Sequence, residues 1–241
     1  MIEKIAEELI DIIYPPRCPV CGEVKRGKKK LACNGCLERL TWIKEPQCKK
    51  CGKMLESEEQ EYCFDCNKVQ YHFESGYPLW SYDDIMKKSI ADFKYGGRRE
   101  YGKFYGTVLA ERYGPKFLAL QVDVIVPVPI HDTKRRERGY NQTEIIADTL
   151  GRELGIPVWK DWLVRVRKTM PQKELNQQER LKNLEGAFAI KKRHDLQGNT
   201  KVLLLDDIYT SGSTVEACTK VLLKAGADKV YVSTLCIGKG Y

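Results

Sequence analysis

The chain has 241 residues, of which 42% are hydrophobic and 31% charged, a composition that argues against a disordered or low-complexity protein. Its formal net charge of +8 favours an anionic partner, either a polyphosphate ligand or a nucleic-acid backbone, although solvated lysines explain many basic proteins. The length predicts one ordinary α/β domain with a small appendage, and we divide the chain into residues 1–71 and residues 72–241.

Residues 1–14 are predicted to form an amphipathic helix. Four acidic residues, Glu3, Glu7, Glu8 and Asp11, interrupt its apolar positions, so the segment lacks the apolar core of an export signal. No run in the chain approaches the roughly 18 to 20 apolar residues that are needed to span a bilayer. We therefore expect a cytoplasmic protein, which only partner proteins would hold at the inner face of the membrane.

Eight cysteines form four CxxC pairs, each of which begins 15 residues after the one before it. They are Cys18, Cys21, Cys33, Cys36, Cys48, Cys51, Cys63 and Cys66. Two CxxC turns supply four thiolates to one tetrahedral ion, so the pattern predicts two structural Zn²⁺ sites without an open coordination position. A disulfide framework is the alternative, and it needs an oxidising compartment. We favour ligand sets made of consecutive pairs, although the spacing also allows interleaved pairing.

The cysteine-rich segment is short and poor in large apolar residues, so hydrophobic burial alone does not fold it. Metal binding is expected to supply its stability. Gly22 and Gly52 are expected to form tight turns around the metal ions. The two remaining cysteines, Cys218 and Cys236, are expected to be small core residues on a helix and a strand.

From about residue 72 the chain alternates apolar runs with helical periodicity, which is typical of a mostly parallel sheet flanked by helices. Strands buried on both faces are predicted at Val122–Val128, Val202–Leu205 and Val230–Cys236. A helix with one apolar face lies between the last two strands and is predicted to stop at Gly226.

Residues 201–214, KVLLLDDIYTSGST, combine two features of a ligand site. Asp206 and Asp207 follow a buried strand, at the carboxyl edge of the sheet where α/β folds bind ligands. The loop after them consists of Thr210, Ser211, Gly212, Ser213 and Thr214. It leads directly into a helix, so its backbone N–H groups, its hydroxyls and the helix dipole suit one phosphate group. Because carboxylates repel phosphate, the aspartates are expected to meet ribose hydroxyls or a ligand-borne Mg²⁺.

This loop resembles the phosphoribosyl pyrophosphate motif of type I phosphoribosyltransferases, and nearly the whole chain resembles the ComF family of competence-associated proteins. The similarity is carried by the phosphate loop, the cysteine-rich head, FKYGGR at 93–98, VPVPIHDTKRRERGYNQ at 126–142 and RVRKTMPQKELNQQERLKNLEGAF at 165–188. It implies a type I phosphoribosyltransferase fold behind an N-terminal double zinc ribbon. It also implies a phosphoribosyl pyrophosphate ligand and a role in DNA uptake and natural transformation, with single-stranded DNA and other competence proteins as partners.

By this resemblance, the residues after Pro129 form a basic loop that holds the pyrophosphate. Arg135 and Arg138 are candidate ligands there, and Lys134 belongs to the same cluster. Lys94, in the KYGGR turn, is a further candidate for a phosphate contact, as is Arg98. A solvated basic loop remains the alternative.

Asp206 and Asp207 are the candidate catalytic residues, because pyrophosphate departs with Mg²⁺ and charge stabilisation and the protein has mainly to orient and neutralise. The resemblance also places a mobile hood over the ligand at residues 167–183, where a solvated helix is an equal possibility. Its candidate residues are Arg167, Lys168, Gln172, Arg180 and Asn183.

Aromatic residues lie among positive charges between residues 94 and 105. Tyr95, Tyr101, Phe104 and Tyr105 are predicted either to stack on the bases of a single strand or to be core residues. Two other functions remain open for the chain. One is a catalytic phosphoribosyltransferase of nucleotide salvage with an unknown acceptor, and the other is a regulator that binds the ligand without turnover.

Overall fold

The computed structural model describes residues 15–24, 31–167, 177–192, 194, 196 and 198–238. The helix predicted at residues 1–14 lies outside this part of the chain. Within it, no helix is both long enough and apolar enough to cross a membrane.

In the part of the chain that the structure describes, four parallel strands form the central sheet, and two further strands form a small antiparallel pair. The strands are β1 (Gly76–Ser81), β2 (Val124–Pro127), β3 (Leu163–Arg165), β4 (Phe188–Ile190), β5 (Lys201–Tyr209) and β6 (Lys229–Ile237). The order in the sheet is β1-β6-β5-β2, and every neighbouring pair is parallel. All three predicted strands of the sheet are confirmed. β5 extends past its predicted end at Leu205, because it still pairs with β6 after β2 has ended.

Helices cover both faces of this sheet. The helices among the described residues are α1 (Asn34–Glu38), α2 (Phe64–Lys68), α3 (Asp84–Tyr95), α4 (Tyr101–Ala119), α5 (Asp132–Arg138), α6 (Gln142–Leu154), α7 (Gln177–Leu184) and α8 (Ser213–Lys224). Leu203 and Leu205 of β5 pack with residues of α3, α4 and α6, whereas Val202 and Leu204 pack with residues of α8 and of the β3–β4 pair. This alternation buries β5 on both faces, as its continuous apolar run predicts.

The helix predicted after the phosphate loop is α8. Its buried side chains include Val215, Cys218 and Leu222, and the chain turns away at Gly226, where φ is +103°. Cys218 and Cys236 are both fully buried, and burial raises the pKa of each thiol well above its ordinary value. They are core residues, as predicted.

The cysteine-rich head packs directly onto the sheet. The Ile43 N–H donates to the Leu79 carbonyl oxygen at 2.9 Å, and the Gly76 N–H donates to the Lys50 carbonyl oxygen at 2.7 Å. The cysteine-rich segment also contributes buried side chains to the apolar clusters on both faces of the sheet. The predicted class, α/β with a mostly parallel sheet behind a cysteine-rich region, is confirmed, while the division at residues 71 and 72 stays a prediction.

Candidate anion-binding site and cysteine clusters

The eight CxxC cysteines form two groups of four in space. One group is Cys18, Cys21, Cys33 and Cys36, and the other is Cys48, Cys51, Cys63 and Cys66. Within each group the sulfur atoms lie within 4.8 Å of one another. This is the consecutive grouping that we favoured, and four cysteine sulfurs are the ligand set that structural Zn²⁺ takes. The two tetrads support two zinc sites.

The same local structure is built twice. The Gly22 N–H donates to the Cys18 carbonyl oxygen at 2.8 Å, and the Gly52 N–H donates to the Cys48 carbonyl oxygen at 2.9 Å. Both glycines have positive φ, +78° and +76°, which fits the tight turns that the sequence predicts. In each group the third cysteine immediately precedes a short helix, α1 or α2.

Asp206 and Asp207 lie in β5, in the stretch that continues beyond the end of β2. Asp206 is buried and accepts the Asp207 N–H at Oδ1, at 2.8 Å. Burial, followed by the negative charge of Asp207, raises the pKa of Asp206 to about 7. Both carboxylates therefore lie at the carboxyl edge of the sheet, as the sequence predicts.

Asp207 is neutralised by Lys94, which comes from the last turn of α3. The Lys94 Nζ lies 2.7 Å from the Asp207 Oδ2, and both side chains are mostly buried. Burial disfavours the charged form of Lys94, but the attraction of Asp207 and then Asp206 outweighs it, so the pKa of Lys94 lies above its ordinary value. The structure thus brings Lys94 to the two aspartates, which lie more than 100 residues later in the chain.

Three more cations surround this pair. Burial, and then the positive charges of Arg138, Arg165 and Lys94, lower the pKa of Lys134. Burial likewise lowers the pKa of Arg165, against the attraction of Cys218 and Asp206. Arg138 donates to the uncharged Gln142 and Tyr95 side chains, at 3.0 and 2.8 Å. Arg138 therefore makes these hydrogen bonds to uncharged groups, which leaves its positive charge available for an anion.

Two basic residues with predicted phosphate contacts pair with glutamates instead. Arg135 forms two hydrogen bonds of 2.8 Å with the Glu144 carboxylate, and Arg98 lies 3.9 Å from Glu100. Arg165, on the short strand β3, was missed as a site residue, because in sequence it stands far from the phosphate loop and from the basic cluster. The predicted basic loop is largely the short helix α5, which ends at Gly139.

The phosphate loop joins β5 to the N-terminus of α8. Ser211 and Ser213 are buried with their hydroxyl oxygens 2.9 Å apart, whereas Thr210 is exposed and Thr214 partly buried. Gly212 has a φ of +74° and precedes the first residue of the helix. The loop therefore lies at a helix N-terminus, as the sequence predicts, and its role as a cradle for one phosphate group stays a prediction.

A residue that packs with the second cysteine cluster contacts this loop. The Tyr71 hydroxyl donates to the Ser211 carbonyl oxygen at 2.7 Å, and the Tyr71 ring stacks on Phe73. Phe73 in turn meets Tyr209 edge to face, and these three rings share one apolar cluster with Cys48, Cys51 and Cys63. No sequence signal links Tyr71 to the loop, since 140 residues separate Tyr71 from Ser211.

The buried carboxylate of Glu216 also connects α8 to His72, which follows Tyr71 in the chain. Glu216 is 2% exposed and accepts the His72 N–H at 2.9 Å, while its other oxygen lies 2.5 Å from His72 Nδ1. The segment that follows the second cysteine cluster is therefore attached to both the loop and the first turn of the helix. Packing through this segment therefore connects the second cysteine cluster to the phosphate loop.

In the predicted hood, Arg167 donates to the carbonyl oxygens of Asn183 and Glu185 at 2.9 and 2.7 Å. The structure therefore ties Arg167 to the backbone at the C-terminal end of α7. Lys168, Gln172 and the side chain of Arg180 lie outside the described residues. The role of residues 167–183 as a hood stays a prediction.

Replacing Gly212 with alanine is expected to destabilise the protein by about 2 to 4 kcal/mol, which combines left-handed strain with overpacking. The new Cβ would collide with the Tyr209 hydroxyl. Gly186→Ala is the matched control, because Gly186 also has a positive φ, +67°, but a Cβ there meets nothing within 4 Å. Urea unfolding of the zinc-loaded proteins measures both costs. Equal costs for the two variants would show that Gly212 is required only for its backbone conformation.

Comparison with known proteins identifies similar chains. A family model described as a double zinc ribbon domain matches residues 9–67. The chain is 29% identical over 220 residues to Competence protein F of Haemophilus influenzae, covering 90% of this chain and 94% of that protein. It is 26% identical over 204 residues to Competence protein ComFC of Bacillus subtilis, covering 80% of this chain and 78% of that one. The resemblance to the ComF family is confirmed.

The ComF-like segments converge on the site. FKYGGR contributes Lys94, the segment 126–142 contributes Lys134 and Arg138, and the segment 165–188 contributes Arg165. Among solved structures, purine phosphoribosyltransferase from Pyrococcus horikoshii aligns with 58% of this chain and 80% of its own at 21% identity, with a TM-score of 0.35.

Proposed function

We propose that this chain binds phosphoribosyl pyrophosphate together with Mg²⁺ in a type I phosphoribosyltransferase-type domain, and that this binding serves DNA uptake. The proposal rests on one observation, that a phosphate loop and a pair of carboxylates lie at the same edge of the sheet. A phosphate loop at the N-terminus of α8 lies next in the chain to a pair of carboxylates, Asp206 and Asp207, that cations surround. A ligand with a phosphate, a polyol and a second anionic group fits all three parts.

Each part has a chemical partner in this ligand. The loop of Ser211, Gly212 and Ser213 fits the 5-phosphate, and the aspartates fit the ribose hydroxyls. Lys134, Arg138 and Arg165 fit the pyrophosphate, since burial and then the nearby positive charges of Arg138 and Arg165 lower the pKa of Lys134. Carboxylate oxygens are also the ligands that Mg²⁺ prefers, and Mg²⁺ would further neutralise the pyrophosphate.

Calorimetric titration of the zinc-loaded protein tests this proposal. We expect the Asp206→Asn, Asp207→Asn double variant to bind phosphoribosyl pyrophosphate with Mg²⁺ at least about tenfold more weakly, because charged hydrogen bonds contribute roughly 1.5 to 3 kcal/mol each. The same variant is expected to bind inorganic pyrophosphate without Mg²⁺ at least as tightly as the wild type, because two repulsive charges have been removed.

The opposite changes make the test specific. A plain anion site would gain affinity for both ligands when the aspartates are neutralised, and that result would contradict a ribose clamp. Asp228→Asn, at an exposed aspartate outside the site, is the control and is expected to bind both ligands as the wild type does. Folded, zinc-loaded wild type that binds neither ligand would refute the proposal outright.

The role in DNA uptake is supported by the similarity to proteins named Competence protein F and Competence protein ComFC. Binding of single-stranded DNA and docking to other competence proteins belong to this proposal, and the net charge of +8 supports the first of them. A cytoplasmic location, at the inner face of the membrane if partners hold the protein there, fits a chain whose cysteine tetrads need reduced thiols.

A catalytic phosphoribosyltransferase of nucleotide salvage is the second candidate function. It is favoured by the same Asp206 and Asp207 pair, and it differs from the first candidate in consuming the bound phosphoribosyl pyrophosphate. Release of pyrophosphate on addition of a nucleobase separates the two, because a protein that only binds the ligand releases none.

A further inference from the structure

Of the four aromatic residues that the sequence offers for base stacking, the structure leaves one available. Tyr101, Phe104 and Tyr105 are at most 2% exposed, and Phe104 stacks on the buried Trp80. Tyr95 is 66% exposed. The first three are therefore core residues, and Tyr95 presents an aromatic ring to solvent.

The Tyr95 ring is held in place at the site. It is the last residue of α3 and follows Lys94, whose Nζ lies 2.7 Å from the Asp207 carboxylate. Arg138 donates to the Tyr95 hydroxyl at 2.8 Å, and its guanidinium carbon lies 4.7 Å from the ring centroid. Arg138 is itself fixed by a 3.0 Å hydrogen bond to Gln142. An exposed ring that is already oriented loses little conformational entropy when a flat ligand stacks on it.

The surroundings of this ring suit a nucleobase. Its hydroxyl and one side are occupied by Arg138, and its high exposure leaves aromatic surface free for a second flat group. A nucleobase has a π-face of matching size, and base–aromatic stacking requires no particular base sequence. The neighbouring cations can bind the phosphate that accompanies the base in a nucleotide.

We propose that Tyr95, held by Arg138, is a stacking platform for a purine or pyrimidine ring beside the phosphoribosyl site. This inference deepens the proposed function and rests on it for the neighbouring phosphate subsite. The base comes either from a free nucleotide or from a single nucleic-acid strand, and the chemistry of stacking is common to both. Tyr95 would thereby determine which class of molecule meets the bound phosphoribosyl group.

The experiment uses the full-length, zinc-loaded protein and fluorescent 2-aminopurine, whose emission falls when it stacks. The two probes are 2-aminopurine riboside 5′-monophosphate and an oligothymidylate that carries one 2-aminopurine. We expect wild type to quench at least one probe and Tyr95→Leu to bind that probe about tenfold more weakly without quenching it. The probe that responds identifies the source of the base. Equal binding and quenching by wild type and Tyr95→Leu would overturn the platform.

Two further variants separate stacking from other effects. Tyr95→Phe keeps the ring and removes the hydrogen bond from Arg138, so it is expected to retain quenching; if it behaves like Tyr95→Leu, Tyr95 acts by positioning Arg138 and the proposal is wrong. Tyr62→Leu removes a tyrosine that is 40% exposed on the cysteine-rich head, and it is expected to match wild type.

Titration with ribose 5-phosphate keeps the two proposals distinguishable. Wild type that binds ribose 5-phosphate but quenches neither probe would overturn the platform and leave the phosphoribosyl site standing. Wild type that fails to bind ribose 5-phosphate, yet quenches a probe in a Tyr95-dependent way, would support the platform and contradict the phosphoribosyl site.

Discussion

Replacing Cys48 and Cys51 with serine is expected to remove zinc from the second cysteine cluster and to weaken phosphate binding more than about tenfold. Zinc contributes about 10 kcal/mol or more to the folding of small cysteine-rich domains. The apolar cluster that contains Cys48, Cys51 and Cys63 also contains Tyr71, Phe73 and Tyr209. Because the Tyr71 hydroxyl holds the Ser211 carbonyl oxygen, loss of the metal removes the support of the phosphate loop.

Zinc content, circular dichroism and titration with ribose 5-phosphate measure this effect. The matched variant replaces Cys18 and Cys21, whose cluster packs with α3 and α4 on the other face of the sheet. We expect each double variant to lose one zinc ion per chain, and only the Cys48, Cys51 variant to lose affinity more than about tenfold, as expected when a buried hydrogen-bonded support is lost.

Tyr71→Phe isolates the link between cluster and loop. It removes only the hydroxyl that donates to the Ser211 carbonyl oxygen, at 2.7 Å, and leaves the ring stacked on Phe73. Zinc content is expected to be unchanged, while affinity for ribose 5-phosphate falls about fivefold, the value of one net hydrogen bond. A Cys48, Cys51 variant that stays folded, lacks one zinc ion and binds ribose 5-phosphate as tightly as wild type would contradict the coupling.

Local patterns in the sequence predicted the parts of this molecule that short segments determine. The 15-residue repeat of the CxxC pairs predicted the two tetrads, and continuous apolar runs predicted β2, β5 and β6. The string from Lys201 to Thr214 also placed the strand, the loop and the start of α8 in the right order. Each of these features depends on residues that are close in sequence, so spacing and periodicity are sufficient to find them.

The rest depends on contacts between distant segments. Arg165 of β3 interacts electrostatically with Asp206, whereas Arg135 forms its hydrogen bonds with Glu144 of α6. In sequence, Arg135 and Arg138 are equivalent members of one basic run. Three residues apart in α5, they lie on one face of the helix, yet Arg135 pairs with Glu144 and Arg138 with Tyr95. Composition cannot make this distinction, because it depends on which side chains the neighbouring segments present to each arginine.

The aromatic residues near the site show the same limit. Tyr95, Tyr101, Phe104 and Tyr105 have the same basic neighbours in sequence, and only the packing of α4 against the sheet separates core from surface. The prediction that these residues lie in the core is confirmed for three of them. The fourth, Tyr95, has an exposed ring that contacts Arg138, and it follows Lys94, which pairs with Asp207.

Asp206→Asn is expected to stabilise the ligand-free protein at pH 8 and to change its stability much less at acidic pH. Burial and the charge of Asp207 raise the folded-state pKa of Asp206 from 3.8 to about 7. A carboxyl group with a raised pKa contributes stability at pH values below its unfolded pKa, and that stability is lost as the pH rises through the folded pKa. Asparagine keeps the size and the acceptor for the Asp207 N–H without a charge.

Urea unfolding at pH 6 and at pH 8, with zinc in the buffer, tests this expectation. From pH 6 to pH 8, ionisation of the Asp206 carboxyl should lower the unfolding free energy of wild type by about 1.4 kcal/mol and leave that of the variant unchanged. The exposed Asp228→Asn substitution is the control and should follow the pH dependence of wild type. If the gap between wild type and Asp206→Asn is the same at both pH values, Asp206 is already ionised at pH 6.

The protonation state of Asp206 in the ligand-free protein also affects ligand binding. An aspartate that is protonated near neutral pH without ligand must release its proton when Mg²⁺ or a cationic group approaches, so ligand binding should release protons at pH 6. Titration in two buffers of different ionisation enthalpy measures that release. With Asp206 ionised at pH 6 no proton would be released, and two full negative charges would then offset only part of the charge of the four cations before any ligand binds.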